Sequence, residues 1–131
     1  MANQVTSIKH LPAMLTAPRA IVLVSVAWSP WPSKSRKVLT DLDSNRRLWI
    51  PNSLVEFFDL WPERDESLNS WYEEMCKSYS LNFELHGHGY GPLWWLVRGE
   101  VTDCLTKPYE HSLETLQQRT TMLFESRGSH S

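Results

Sequence analysis

An apolar run near the N-terminal end, residues 20–28 (AIVLVSVAW), constrains the fold more than any other feature of the sequence. Its apolar residues occupy both alternating positions, and Val and Ile are frequent, as in a strand that is covered on both faces. As a helix the run would be too short to cross a bilayer, because that takes roughly 18 apolar residues or more. We therefore predict a buried central strand over residues 21–27 and no membrane-spanning segment.

Length and charge narrow the class of protein. The 131 residues are enough for one domain with its own core. We assign that domain to residues 1–125 and a polar tail to residues 126–131 (SRGSHS). The formal net charge of -2 gives no general attraction to nucleic acid or to an anionic membrane. We therefore expect binding to neither nucleic acid nor membranes. Because the first residues lack the pattern of a secretory signal, we expect a cytoplasmic protein.

The other elements follow from hydrophobic periodicity. Helices are predicted over residues 11–17, 34–47, 66–79 and 110–124, and strands over residues 54–60, 93–97 and 101–105. Arg98, Gly99 and Glu100 form a short connection between the last two strands, which indicates a hairpin. Strands that alternate with helices and end in a hairpin predict an α/β fold: a mixed sheet of about four to five strands with helices on both faces.

Residues 22–37 (VLVSVAWSPWPSKSRK) resemble the active-site region of thioredoxins, in which a buried strand leads into W-x-x-W-C-G-P-C-K. Trp28, Pro30 and Trp31 match this pattern. A second segment, Gly91-Pro92-Leu93 with its strand and the Gly99-Glu100 turn, resembles the cis-proline loop and hairpin of the same family. The order of elements agrees over about residues 8–125. The resemblance implies a thioredoxin-like fold with a cis bond before Pro92.

The motif departs from the family at the positions that carry its chemistry. The resemblance places the two cysteines of C-G-P-C at Pro32 and Ser35, with Ser33 and Lys34 between them. Thiol–disulfide exchange needs one thiol to attack and a second to resolve the mixed disulfide. The buried acid of the family falls on Val26. We therefore expect a degenerate active site without dithiol redox chemistry and without a cofactor.

The resemblance implies that the binding surface of the family is retained. In thioredoxins, the tryptophan loop and the cis-proline loop form a shallow groove for an extended polypeptide. The positions that match are Trp28, Trp31, Pro32, Ser33, Gly91 and Pro92. Aromatic faces offer a large contact area at low entropy cost, and an exposed backbone can pair with an incoming strand. We expect a protein- or peptide-binding module with an unidentified partner, and glycine at position 91 is expected to make the loop more permissive.

An enzyme remains an alternative. The chain has only two cysteines, Cys76 and Cys104, which excludes a disulfide-rich scaffold and a zinc site built from several cysteines. Either could act as the relocated thiol of a thiol–disulfide oxidoreductase if it were exposed and its pKa were low. Ser33 or Ser35 could act as the nucleophile of a glutathione-type transferase, although serines at such positions more often cap a helix.

A metal- or anion-binding module is the other alternative. His86 and His88 are separated by one glycine in the loop HGHGYG, but zinc or copper needs three or four ligands. The residues that could complete such a set are scattered along the sequence: His10, Glu84, Cys104 and His111. The helix that begins near Lys34 could bind an anion through its free N–H groups.

The seven tryptophans are expected to serve mainly as core residues. Trp94 and Trp95 are adjacent in a strand and should point to opposite faces of the sheet. Trp71 belongs to the apolar face of the helix over residues 66–79, and Trp28 is expected to pack beneath its loop. Trp49 and Trp61 lie at element ends, where either packing or exposure is possible. Asp59, Glu63 and Asp65 are expected to cap the following helix.

Overall fold

A five-stranded mixed sheet forms the centre of the molecule. The computed structural model describes residues 2–45 and 55–128, with the backbone alone at 125–128. The strands are β1 (Asn3–Val5), β2 (Arg19–Val24), β3 (Val55–Leu60), β4 (Leu93–Val97) and β5 (Glu100–Leu105). Their order in the sheet is β1-β3-β2-β4-β5. The pairs β1–β3 and β2–β3 are parallel, whereas β2–β4 and β4–β5 are antiparallel.

Helices cover both faces of this sheet, as the sequence predicts. They are α1 (Leu11–Thr16), α2 (Pro32–Ser44), α3 (Glu66–Ser78) and α4 (Leu113–Gly128). Short 3-10 turns lie at Ile8–His10, Pro62–Arg64, Gly87–Gly89 and Pro108–Glu110. The core residues of α1 and α3 pack on one face of the sheet, and those of α2 and α4 pack on the other.

The alternation of β2 and β4 explains the two cores. Ala20 and Val22 face α1 and α3, whereas Ile21 and Leu23 face α2 and α4. Trp94 and Trp95 are both fully buried on opposite faces, which confirms their predicted role in the core.

Each of these buried indoles has an acceptor for its N–H group. Trp94 Nε1 donates to the Leu85 carbonyl at 3.1 Å, and Trp95 Nε1 donates to Thr120 Oγ1 at 2.9 Å. Large aromatic side chains therefore fill both cores without leaving a polar atom unsatisfied.

Several boundaries differ from the predictions. Strand β1 is not predicted, and β2 ends at Val24, three residues before the predicted end. Helix α2 begins at Pro32, and α4 continues to Gly128, into the segment predicted as a polar tail. The predicted end of the second helix, Trp49 and the first residue of the strand predicted over 54–60 lie outside the described residues, as do residues 129–131 of the tail.

Within residues 2–45 and 55–128, no helix is both long enough and apolar enough to cross a membrane.

The ends of three neighbouring strands bring the predicted site residues together. The Ser25 N–H, just after β2, donates to the Leu60 carbonyl at the end of β3, at 2.8 Å. The Val24 N–H donates to the Pro92 carbonyl just before β4, at 3.1 Å. Strand β2 leads into the tryptophan loop (residues 25–31) and then α2. The hydrogen bonds at the end of β2 therefore hold this loop against the segment that precedes β4.

Candidate functional site

The loop between β2 and α2 is organised by Ser29. Its hydroxyl donates to the Gly89 carbonyl at 2.7 Å and accepts the N–H of Trp31 at 3.3 Å. This one side chain therefore links the tryptophan loop to the glycine-rich loop and orients Trp31 at the start of α2. Ser29 could not be identified from the sequence, because Gly89, which accepts its hydrogen bond, lies 60 positions away.

The predicted capping role of Ser33 and Ser35 is wrong. Helix α2 begins at Pro32, two residues before the predicted start, with Trp31 at the N-cap and no side-chain capping bond. The Ser33 hydroxyl donates to the Pro30 carbonyl at 2.7 Å. The Ser35 hydroxyl is buried and donates to the Tyr90 carbonyl at 3.4 Å. Both serines are thus held by backbone carbonyls, and within the described part of the chain neither hydroxyl is hydrogen-bonded to a base that could activate it as a nucleophile.

The glycine-rich loop packs onto the tryptophan loop at two glycines with positive φ. Gly89 has a φ of +80°, and a Cβ atom there would overlap the ring of Trp28. Gly91 has a φ of +79°, and a Cβ atom there would lie 2.7 Å from Pro32 Cα and 2.9 Å from Ser35 Oγ. L-residues rarely adopt this backbone conformation, and here there is also no space for a side chain. Glycine at position 91 therefore permits close packing, not the more permissive loop that was expected.

This packing buries half of the residues predicted to line the groove. Pro32, Gly91 and Pro92 are buried, and the ring of Pro92 lies directly beneath Gly87. The expected cis bond before Pro92 is wrong: this bond is trans, and no peptide bond among the described residues is cis. With glycine at position 91 in the left-handed region, the chain turns toward β4 through a trans bond. Three of the six predicted binding residues therefore form the interior of the site.

The other three predicted binding residues are exposed. Trp28 is 66% exposed and the outer edge of its ring contacts Gly89, so the expectation that it packs beneath the loop is wrong. Trp31 is 38% exposed, and Ser33 is exposed beside it. We call these three residues the tryptophan face.

Tyr90 and Tyr109 extend this face, and neither belongs to the motif that predicted it. The ring of Trp31 stacks on Tyr109, with centroids 5.6 Å apart and an interplanar angle of 13°. Tyr90 lies 5.9 Å from Trp31 in a tilted arrangement. Burial, followed by the negative charge of Glu110, raises the pKa of Tyr109, so its hydroxyl remains protonated at neutral pH.

Lysines lie over these rings. Lys34 Nζ is 4.5 Å from the centroid of Trp31, and Lys107 Nζ is 4.5 Å from the centroid of Tyr90. Cation–π contacts of this kind hold an ammonium group in place while leaving N–H donors free. We call Trp31, Tyr90, Tyr109, Lys34 and Lys107 the aromatic–lysine cluster.

A buried carboxylate lies behind α2. Asp59 on β3 is 1% exposed and accepts from Ser25 Oγ at 2.6 Å and from Arg36 Nε at 3.1 Å. Arg36 Nη2 also donates to Ser25 Oγ at 2.8 Å. Asp59 therefore anchors α2 to the sheet, and its predicted role as a helix cap is wrong.

Asp65 caps α3, as predicted, whereas Asp59 and Glu63 do not. Asp65 accepts the N–H of Ser67 at the start of α3. Glu63 accepts the N–H of Ala27, so it supports the tryptophan loop.

The cysteines lie away from α2, on the other face of the sheet. Cys76 and Cys104 pack against the core of α1 and α3. Burial raises the pKa of both thiols, and that of Cys104 reaches about 12. Cys76 lines an open cavity of about 290 Å³ beside residues 80–86. Because both groups stay protonated at neutral pH, neither has the thiolate character of a relocated nucleophile.

The two loop histidines lie close to each other and to Glu84. The rings of His86 and His88 are 5.7 Å apart, and His88 Nε2 lies 2.6 Å from Glu84 Oε1. His86 Nδ1 already accepts the backbone N–H of His88. Over the described ranges, no cluster of three or more His, Cys, Asp or Glu side chains could hold a metal ion.

The start of α2 offers little to an anion. Pro32 has no N–H, and the N–H groups of Lys34 and Ser35 both point to the Trp31 carbonyl. Ser33 therefore contributes the one N–H of this first turn for which the described residues show no acceptor.

Comparison with solved structures identifies the fold. The chain is similar to thioredoxin from Malassezia sympodialis, with a TM-score of 0.61 and 8% identity over 95% of this chain and 91% of that one. Thioredoxin from Trypanosoma brucei brucei gives a TM-score of 0.58 and 9% identity over 95% and 92% of the two chains. The zinc-bound form of human ERp44 gives 0.64 and 11% over 93% of this chain and 31% of that protein.

No protein-family model and no curated protein matches the sequence. The structural neighbours nevertheless show that the chain has the thioredoxin-like fold that its motifs predict.

Proposed function

We propose that this chain is a non-redox protein of the thioredoxin-like fold that binds a protein or peptide partner on the tryptophan face. The observation that carries the proposal is the 66% exposure of Trp28, a large apolar side chain fixed on the surface by Gly89. Burying a large apolar side chain contributes roughly 1.5–3 kcal/mol, and tryptophan is enriched among residues that dominate binding energy.

The surroundings of the two tryptophans support the same surface. Trp28 is positioned by Gly89, and Trp31 is positioned by Tyr90 and Tyr109. Rings that are already fixed lose little conformational entropy on binding. The buried residues Pro32, Gly91 and Pro92 then act as the support of the surface and do not contact the partner in this conformation.

The non-redox part of the proposal depends on where thiols are found. Pro32 and Ser35 occupy the positions that the resemblance assigns to the cysteines of thioredoxin, and the raised pKa values of Cys76 and Cys104 disfavour thiolates elsewhere. In an insulin-reduction assay, we expect a rate no higher than the background without protein. A rate above background that disappears in Cys76→Ser or Cys104→Ser would instead favour the oxidoreductase with a relocated thiol.

A quantitative pull-down tests the binding surface. The wild type, Trp28→Ala and Trp31→Ala are compared with Leu81→Ala, a control chosen because Leu81 is 97% exposed and lies outside the tryptophan face. We expect one bound protein to be retained by wild type and Leu81→Ala and lost from both tryptophan variants. If all four proteins retained equal amounts of the bound protein, the interface would lie outside the tryptophan face.

A further inference from the structure

We propose that the segment recognised by this protein is acidic, and that Lys34 and Lys107 are the residues that select it. This inference rests on the proposed function, since it names the chemistry of the partner that the tryptophan face binds.

The two lysines are held at fixed positions. Lys34 Nζ lies 4.5 Å from the centroid of Trp31 and 5.9 Å from that of Tyr109. Lys107 Nζ lies 4.5 Å from the centroid of Tyr90, which itself contacts Trp31. The contacting rings of Trp31, Tyr90 and Tyr109 therefore carry two ammonium groups next to the tryptophan face.

Four other cations among the described residues have carboxylate partners. Arg36 pairs with Asp59, Lys37 with Asp41, Arg119 with Asp103, and Lys77 with Glu74. Within the described part of the chain, the charged contacts of Lys34 and Lys107 are with aromatic rings alone. Both ammonium groups can therefore still accept a carboxylate as partner.

The local charge favours an anionic segment. The cluster carries the two ammonium groups of Lys34 and Lys107, and the negative charge of Glu110 acts on Tyr109 beside them. A segment with spaced Asp or Glu residues could place carboxylates on the lysines and apolar side chains on the two tryptophans. Complementary charges of this kind increase association rate and specificity.

A polypeptide fits this surface better than a nucleic acid. Binding to nucleic acid gains its affinity by neutralising many phosphates. The chain has a formal net charge of -2, and the cluster contributes only two cations. An acidic peptide needs only a few charge pairs together with apolar contacts.

The test is a titration of the ¹⁵N-labelled full chain followed by NMR. The probes are short synthetic peptides that share alternating Leu and Phe residues and carry Glu, Gln or Lys between them. The reporters are the indole N–H signals of Trp28 and Trp31, with those of the buried Trp94 and Trp95 as internal controls. We expect the Glu peptide to shift the two exposed indoles and to bind at least about fivefold more tightly than the Gln peptide, with a preference that falls as salt is added.

Variants assign that preference to the lysines. Lys34→Gln and Lys107→Gln should each reduce the preference for Glu over Gln by roughly two- to fivefold, as expected for an exposed ion pair. Lys77→Gln is the matched control, because Lys77 is an exposed cation on α3. Trp28→Ala should instead weaken the binding of every peptide.

The outcomes separate this inference from the function on which it rests. Equal binding of the Glu and Gln peptides at Trp31 would overturn the acidic partner and leave the binding surface intact. If no peptide shifted Trp28 or Trp31, both proposals would fail. A short oligothymidylate that bound the same indoles as tightly as the Glu peptide would also overturn the choice of an acidic polypeptide.

Discussion

The indole of Trp28 lies against Gly89 so closely that its ring occupies the space where a side chain on residue 89 would begin. This contact covers one part of a side chain that is otherwise open to solvent, since Trp28 is 66% exposed. It also joins the loop after β2 to the loop before β4, together with the hydrogen bond from Ser29 Oγ to the Gly89 carbonyl.

Gly89→Ala is expected to destabilise the fold by about 2–3 kcal/mol. Part of this cost is backbone strain at a φ of +80°, and the rest is the clash with Trp28. In a Trp28→Ala background the clash is absent, so the same substitution should cost about 1 kcal/mol. Urea unfolding of the four proteins of this double-mutant cycle measures the difference.

Gly91→Ala is the control for that cycle. A side chain at position 91 would meet Pro32 Cα and Ser35 instead of Trp28, so its cost should be the same in both backgrounds. If Gly89→Ala cost as much without Trp28 as with it, the contact between Trp28 and Gly89 would not be what requires glycine there.

Asp59→Asn should destabilise the protein by roughly 2 kcal/mol. Removing one member of a buried ion pair costs about 3–5 kcal/mol, but the side chain of Arg36 is 37% exposed, so water compensates part of the loss. Asp41→Asn is the matched control, because its partner Lys37 is exposed and such i,i+4 pairs contribute about 0.3–0.5 kcal/mol. Equal unfolding free energies for the two variants would contradict the anchoring role of Asp59.

Cys104 should react with iodoacetamide far more slowly in the native protein than in the urea-unfolded chain. Burial raises its pKa to about 12, so at pH 8 the native protein holds roughly a thousandfold less thiolate than an exposed cysteine. Because the shift is upward, the native rate should still increase with pH above about 9. Mass spectrometry of the alkylated peptides measures both rates, and equal rates at pH 8 would exclude a buried, protonated thiol.

The elements of the fold could be predicted where apolar residues recur with a clear period. One example is the apolar face of α3, which includes Leu68 and Tyr72. Another is the adjacent pair Trp94 and Trp95, which are buried on opposite faces of the sheet. Strand β1 could not be predicted in this way, since it has three residues and buries only Val5. Asp59 lies on the same face of β3 as Val55 and Phe57, toward α2, but its role could not be predicted because its partner Arg36 lies on a separate element.

Only part of the candidate site could be predicted from the sequence, and its shape could not. The motif located Trp28, Trp31 and Pro92, but whether the groove is open depends on contacts between distant segments. The stacking of Trp31 on Tyr109 joins residues that are far apart in the sequence, and no local pattern signals it. The alternating glycines of the loop HGHGYG were the available signal that another chain segment approaches closely.

Site-specific photo-crosslinking tests the central claim most directly. The photoreactive residue p-benzoylphenylalanine replaces Trp28 in one protein and Leu81, which is also exposed, in another, and both are irradiated in the source cells. The account predicts one partner protein crosslinked from position 28 and absent from position 81, with the crosslink mapping to an acidic segment of that partner. The same crosslinks from both positions, or none from position 28, would contradict a binding surface at the tryptophan face.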